Sequence, residues 1–352
     1  METNKRGAGI SRRAALGLGL GGMTALLTAC QTAKSAELPA LPRADALSAD
    51  QRELLSAARR EGTVTLYSSN DPSVVDNIVA AMDHYDIKVD FQRLNSAPLA
   101  QRYSAEAQAG KVVADVIVTG DPMFADDAGA NGWLAGIGSL PALAEWPARF
   151  KTDHYPILSV NPYCLGLNTE LTDGTPREWT YAVDPKWEGQ LVMANPATTG
   201  TVNLAAWNLL RERYGDDFLR QVGARKPNLF DSATSAMQQV AAGAGAVFML
   251  SSVVSVQAMK KLGAPVAAVV PADAPTTGIE SAACVSAKAP HPNAARFLLN
   301  FFMTGPGQKI LNPVSSSPAD APGTPALPAK FVRPDYTKAK ANKSRLLKLL
   351  DA

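Results

Sequence analysis

Six stretches of the sequence place a hydroxyl, an amide or a glycine directly after a short apolar run. They are Ser68, Ser69 and Asn70; Ser96; Thr119 and Gly120; Asn195 with Thr198, Thr199, Gly200 and Thr201; Ser232; and Ser251 with Ser252. No lysine or arginine falls within these junctions, and their carboxylates are Asp71, Asp121 and Asp231. Each junction alone reads as an ordinary helix cap, because Ser, Thr, Asn and Asp oxygens accept from the free N–H groups of a helix start. "NPATTGT", residues 195–201, carries more hydroxyls than one cap can use. Helix N-termini also present unpaired N–H donors and about half a positive charge, so several aimed at one cleft can hold an oxyanion without arginine.

The elements that must position these groups follow from periodicity. "TVTLYSS" leads to "PSVVDNIVAAMDHY", "IKVDFQRL" to "APLAQRYSAEAQAG", and "ADVIVTG" to "PMFADDAGANG". Later, "GQLVMA" leads through the heptapeptide to "VNLAAWNLLRERYG", "NLF" to "SATSAMQQVAAGAG", and "AVFML" to "SSVVSVQAMKKLG". Short β-branched runs alternating with stretches of three- and four-residue apolar spacing predict parallel sheets with helices on both faces. In such sheets, ligands sit where strand C-termini meet helix N-termini.

The chain has 352 residues, 46% of them apolar and 19% charged, enough for two lobes. Its formal charge of +2 misleads, because Lys5, Arg6, Arg12 and Arg13 carry the positive excess by themselves. The remainder is close to neutral, and no basic surface argues for nucleic acid.

That basic start precedes the uncharged run "AALGLGLGGMTALLTA", which is too short and glycine-rich to be a permanent membrane span. It reads as an export signal over residues 1–29. "SRRAAL" resembles the twin-arginine export motif, and "LTAC" resembles a lipobox in which Cys30 is lipidated and begins the mature chain. Residues 30–47, rich in proline and alanine, read as a linker holding the globular body, from Ser48 onward, away from a membrane that acyl chains anchor it to. Export places the chain in the periplasm or cell envelope, an oxidising compartment. Cys164 in "PYCLGLN" and Cys284 in "SAACVSA" are then either two buried thiols or a disulfide between strands.

Catalysis has little support. Three scattered histidines accompany no G-x-S-x-G frame around a nucleophile. "GLGLGG" lies in the export segment and precedes no folded strand, so it is not a dinucleotide loop. No cofactor is expected. His84 at a helix end, His154 and His291 are not spaced as metal ligands.

The order of these motifs resembles the periplasmic substrate-binding proteins of ABC importers, in the extracellular solute-binding branch that includes ferric-ion, phosphonate and sugar-phosphate binders. "EGTVTLYSSND" is similar to the family's first strand and loop, and "FQRLNSAPLAQRYSAEAQAGKVVADVIVTGD" to its second strand, helix and third strand. "NPATTGTVNLAAWNLLRERYGDDFLRQV" resembles its small-residue loop and following helix, and "HPNAARF" and "GPGQKIL" its late helical segment.

The resemblance implies the type II periplasmic-binding fold: two doubly wound α/β lobes joined by a hinge and closing over a solute. Lobe 1 is expected to hold residues 48–157 and about 288–325, and lobe 2 residues 158–287 and about 326–352. The crossings are expected near Tyr155 to Asn161 and Ala287 to Pro292. The proline-rich stretch from Pro313 to Pro334 should wrap the surface, and "SRLLKLL" should form a short docked helix.

The ferric branch uses adjacent tyrosines, and none of the eight tyrosines here are adjacent; "SSVVSVQ" stands where the pair would be expected. The expected cargo is therefore a small anion such as a phosphate ester, phosphonate or carboxylate, with ferric-ion uptake, or a secreted hydrolase, as the alternatives. The hydroxyls of Ser68, Ser69, Ser96, Thr119, Thr198, Thr199, Thr201, Ser232 and Ser251, with Asn70 and the glycine backbones at Gly120 and Gly200, are the expected ligand contacts. Glu280 is a further candidate for a ligand ammonium or hydroxyl, and Tyr67 and Trp133 are candidate cleft walls or core residues. The receptor is expected to act as a monomer, presenting its loaded form to a membrane permease or a sensor.

Overall fold

The structure, a computed structural model, describes residues 38–352; the export segment, Cys30 and the first part of the linker lie outside them. Residues 38–47 are not a free spacer. Leu38, Leu41, Ala44 and Leu47 pack on the core of the first lobe, and the Tyr85 hydroxyl donates to the Pro42 carbonyl at 3.1 Å. Ser48 then starts α1 (Ala49–Glu61) with a reciprocal pair of bonds to Gln51, the capping-box arrangement that satisfies two helix-start N–H groups at once.

Each expected strand–helix unit forms. β1 (Thr63–Ser68) feeds α2 (Pro72–Asp83), β2 (Lys88–Arg93) feeds α3 (Ser96–Gln108), and β3 (Val116–Thr119) feeds α4 (Pro122–Ala130). These strands pair in parallel in the order β2-β1-β3. The long β4 (Ile157–Asn168) then crosses to the second lobe. There β5 (Leu191–Ala194) feeds α5 (Gly200–Tyr214) and α6 (Asp216–Ala224), β6 (Asn228–Phe230) feeds α7 (Ala233–Ala241), and β7 (Val247–Ser252) feeds α8 (Val253–Lys261). β5 pairs in parallel with both β6 and β7. β8 (Val266–Val269) pairs antiparallel with β4, and β9 (Gly278–Val285) returns the chain to the first lobe, where α9 (Pro292–Phe302) and α10 (Gly305–Leu311) pack. α11 (Tyr336–Leu350) ends the chain.

The strands run β2-β1-β3-β9-β4-β7-β5-β6, with β8 on β4. β4 and β9 are the junction between lobes. β4 pairs with β9 over Ile157 to Pro162, then with β7 and β8 over Tyr163 to Asn168. β9 continues onto β3 from Ala282. The return crossing therefore comes at Gly278, earlier than the expected Ala287 to Pro292, because β9 must already lie against β3 to bury Ala282, Ala283, Cys284 and Val285 in the first core.

The two lobes have separate cores. Leu66, Ile78, Tyr103, Phe150 and Phe302 belong to the first, while Trp179, Trp207, Leu219 and Met249 fill one face of the second lobe and Phe248, Met237 and Val240 the other. Tyr67 is fully buried in the first core, its hydroxyl on Glu106, and Trp133 packs against the same core, so neither walls a cleft. The terminal helix is longer than "SRLLKLL" alone predicts. Ala339, Leu346 and Leu350 lie on one face and bury against the second lobe, with α11 seated along α5 and α6.

The disulfide does not form. Cys164 and Cys284 are both free and buried. Cys164 lies opposite Ser251 in the second lobe, and Cys284 opposite Ile117 in the first, so the crossing strands carry the two sulfurs into different cores. Burial pushes both thiols up from their ordinary pKa, leaving them protonated and inert. Among the described residues, no helix is long and apolar enough to cross a membrane.

Candidate functional site

The carboxyl ends of β2, β3, β5, β6 and β7 open onto one cavity of about 890 Å³, within the range that holds small organic ligands. Both lobes and both crossing strands line it. Ser96, Gly120 and Asp121 come from the first lobe, Thr198, Thr199, Gly200 and Thr201 from the second, and Asn161, Tyr163 and Ile279 from the crossing strands.

Two of its helix starts differ from their neighbours. α4 is capped by Asp121, which accepts from Phe124 N–H at 3.3 Å, and α8 by Ser252, which accepts from Ser255 N–H at 3.2 Å. α3 and α5, one from each lobe, have no side-chain cap. Ser96 and Ala97 in the first turn of α3, and Gly200, Thr201 and Val202 in the first turn of α5, line the cavity. First-turn N–H groups have no partner within their own helix, so two sets of donors and two positive dipole ends meet in this space. Gly200 has a φ of +80°, and a Cβ there would meet nothing within 4 Å. Glycine is needed for the left-handed turn into α5, and it leaves the space above that turn open.

The heptapeptide presents backbone more than hydroxyls. Thr199 Oγ1 donates to the Asn195 carbonyl at 2.7 Å, and Thr198 Oγ1 to the same carbonyl at 3.3 Å and to Asp231 Oδ1 at 3.1 Å. Their protons are spent locally, contrary to the expectation that these hydroxyls face a ligand, which leaves the Thr201 hydroxyl and the α5 backbone. Ser96 accepts from Gly120 N–H at 3.3 Å, tying the second and third junctions together while its own O–H stays available.

Four expected contacts turn away. Ser68 is fully buried, its oxygen accepting from Asn70 N–H at 3.0 Å. Thr119 is fully buried and accepts from Asp121 N–H at 3.2 Å. Ser232 caps α7 through Ser235 N–H at 3.1 Å, while its neighbours Asp231 and Ala233 line the cavity. Ser251 is buried beside Met237, and Ser252 takes the cavity position. The exchange has a backbone cause: Leu250 adopts a φ of 58°, and the β4–β7 register shifts between Cys164 and Gly166. This left-handed residue makes a bulge that turns the following side chains over.

Ser69 and Asn70 line a second cavity of about 670 Å³, which shares Ser96, Gly120, Asn161 and Ile279 with the first. Asn161, Tyr163, Asn203 and Ile279 escape the sequence reading because they lie inside strands or a helix, past the junctions where turn and capping signals fall. Glu280 is fully buried and paired with Arg333, so it does not reach a ligand. His291 caps no cavity; it pairs with the buried Asp115 at 2.9 Å.

Among the described residues no group of three or more His, Cys, Asp or Glu could hold a metal ion. Tyr163 lines the cavity alone, and burial pushes its phenol up, away from ionisation.

Comparison with solved structures places this fold. A substrate-binding protein of an ABC transporter from Agrobacterium tumefaciens superposes with a TM-score of 0.69 at 18% identity, covering 82% of this chain and 94% of that one. AfuA from Actinobacillus pleuropneumoniae, a periplasmic binding protein solved with fructose-6-phosphate, gives 0.64 at 20%, covering 83% and 97%. Iron-bound HitA from Pseudomonas aeruginosa gives 0.63 at 20%, covering 82% and 98%. No curated protein sequence matches the chain. The family model for bacterial extracellular solute-binding protein matches residues 111–342, from just before β3 through the crossing strands and into α11. With two lobes, two crossing strands and a cavity between them, the chain belongs to the bacterial extracellular solute-binding proteins.

Proposed function

We propose that this protein is the receptor of an ABC importer and captures a small anionic solute, a phosphate ester, phosphonate or carboxylate, between the N-termini of α3 and α5. The observation that carries this reading is that these two helices, one per lobe, have no side-chain cap and open into the same cavity. An oxyanion there would complete both helix starts at once, so its binding would draw the lobes together. Asp121 and Asp231, which line the cavity, would accept hydroxyl or ammonium groups from the rest of the solute. The sugar phosphate held by AfuA is a precedent on the same fold. In this reading the chain is exported through its "SRRAAL" segment, is tethered by a lipid on Cys30, and hands its cargo to a membrane permease as a monomer.

Native mass spectrometry of freshly purified protein should reveal a co-purifying anion. A thermal-shift panel of phosphate esters, phosphonates and carboxylates should then show a concentration-dependent rise, about 2.7 kcal/mol at a hundred times Kd. Stabilisation by ferric salts with a visible charge-transfer band, and none by the anions, would replace this reading with iron uptake, the cargo seen in HitA.

A further inference from the structure

The cleft continues past Ser96, Gly120, Asn161 and Ile279 into the second cavity, between α8 and the segment that follows α10. Part of its lining is apolar, beside polar side chains that include Ser159, Gln257, Lys261, Ser281 and Ser315. Val254 and Ala258 of α8, with Leu262 just past its last residue, fall on one stripe at four-residue spacing, and Leu311, Pro313 and Val314 line the cavity from the first lobe. Leu262 is 79% exposed and Val254 38%, although both are large apolar side chains. Exposed apolar surface that lines a groove continuous with a ligand site calls for a cover.

The helix starts here offer no second oxyanion site. Both helix starts here are already satisfied: Asp71 accepts from Ser73 N–H at 3.3 Å to cap α2, and Asn161 Oδ1 accepts from Val254 N–H at 3.2 Å at the start of α8. Lys261 lies at the last turn of α8, where a cation complements the helix's own negative end.

We propose that the α8 side of the cleft is a subsite for an aliphatic substituent of the anionic cargo, so that the preferred solute is an organic phosphate or phosphonate with a hydrocarbon arm. The inference rests on the anion-binding reading of the first cavity. The head group sits at α3 and α5, the bridge passes over Asn161 and Ile279, and the arm lies along the Val254–Ala258–Leu262 stripe. A bare oxyanion or a metal ion would leave that stripe in water.

The test is calorimetric titration of the full chain carrying Cys30→Ser, which removes any acylation, with methyl, butyl and hexyl phosphate. Each methylene buried along α8 should tighten binding roughly fourfold, so butyl phosphate should exceed methyl phosphate by more than about tenfold. Leu262→Asp and, separately, Val254→Asp should erase that gain while methyl phosphate affinity changes less than about twofold. Equal affinity across the three esters would overturn the subsite and leave the anion site standing. A uniform loss for all three esters in both variants would also overturn it, showing that the stripe serves only to seal one lobe against the other. If no ester binds, the anion site itself is wrong, and the subsite falls with it.

Discussion

Arg333 forks onto Glu280, with Nε 2.8 Å from one carboxylate oxygen and Nη2 2.7 Å from the other. The carboxylate is fully buried on the crossing strand β9, whereas the arginine side chain is 37% exposed and also donates to the Arg149 carbonyl at 2.5 Å. One side chain thus ties the segment leading into α11 to the interlobe strand and to the first lobe.

The asymmetry of that pair predicts unequal losses. Arg333→Gln strands a buried charge and should destabilise by about 3–5 kcal/mol. Glu280→Gln leaves an arginine that can turn to solvent and should cost about 1–2 kcal/mol. Urea denaturation of both variants measures this, and equal losses would contradict the argument.

A charge placed at the start of α5 should separate folding from binding. Thr201→Asp puts a carboxylate in the first turn, where the dipole favours it by about 0.3–1 kcal/mol. The same carboxylate occupies the ground proposed for an oxyanion. Melting temperature should hold or rise while phosphate-ester binding disappears; retained binding would move the anion site elsewhere.

Glu106 should contribute to acid sensitivity. Burial raises its carboxyl, but Val113 N–H at 3.0 Å, Arg102 at 2.9 Å and the Tyr67 hydroxyl at 2.9 Å outweigh burial and hold it below the usual range. Burial and that carboxylate together push Tyr67 up to about 12. A carboxyl lowered on folding adds stability above its unfolded pKa of about 4.3, and this is lost as pH falls through the lower folded value. Glu106→Gln should therefore be less stable than the parent at pH 7 and approach it near pH 3, as read by urea midpoints.

The thiols should behave as core residues. With Cys30→Ser in place, Cys164 and Cys284 should not react with a disulfide reagent until the chain unfolds, and reductant should leave the melting temperature unchanged. A reductant-dependent drop would show a bridge between them.

All six strand–helix units and their polar junctions were legible in the sequence because period-two and period-3.6 patterns are local, as are the caps at Asp71 and Asp121. Which oxygen points inward was not legible. Ser251 and Ser252 are neighbours of the same type, and only the left-handed turn at Leu250 decides between them. Thr198 and Thr199 looked available because a sequence does not display the Asn195 carbonyl that folds back to receive them.

By itself the sequence determined the alternation of strands and helices and the absence of fixed cations from the junctions, since each depends on residue types a few positions apart; the two-lobed class came from chain length and the family resemblance. Tertiary structure alone decided the pairing of β4 with β9, which brings Asn161 and Ile279 together under the cleft and carries Cys164 and Cys284 apart. It also decided that the uncapped starts of α3 and α5 share one cavity. Those relations join residues about a hundred positions apart, and they are set by which buried faces pack together, a choice that no local pattern encodes.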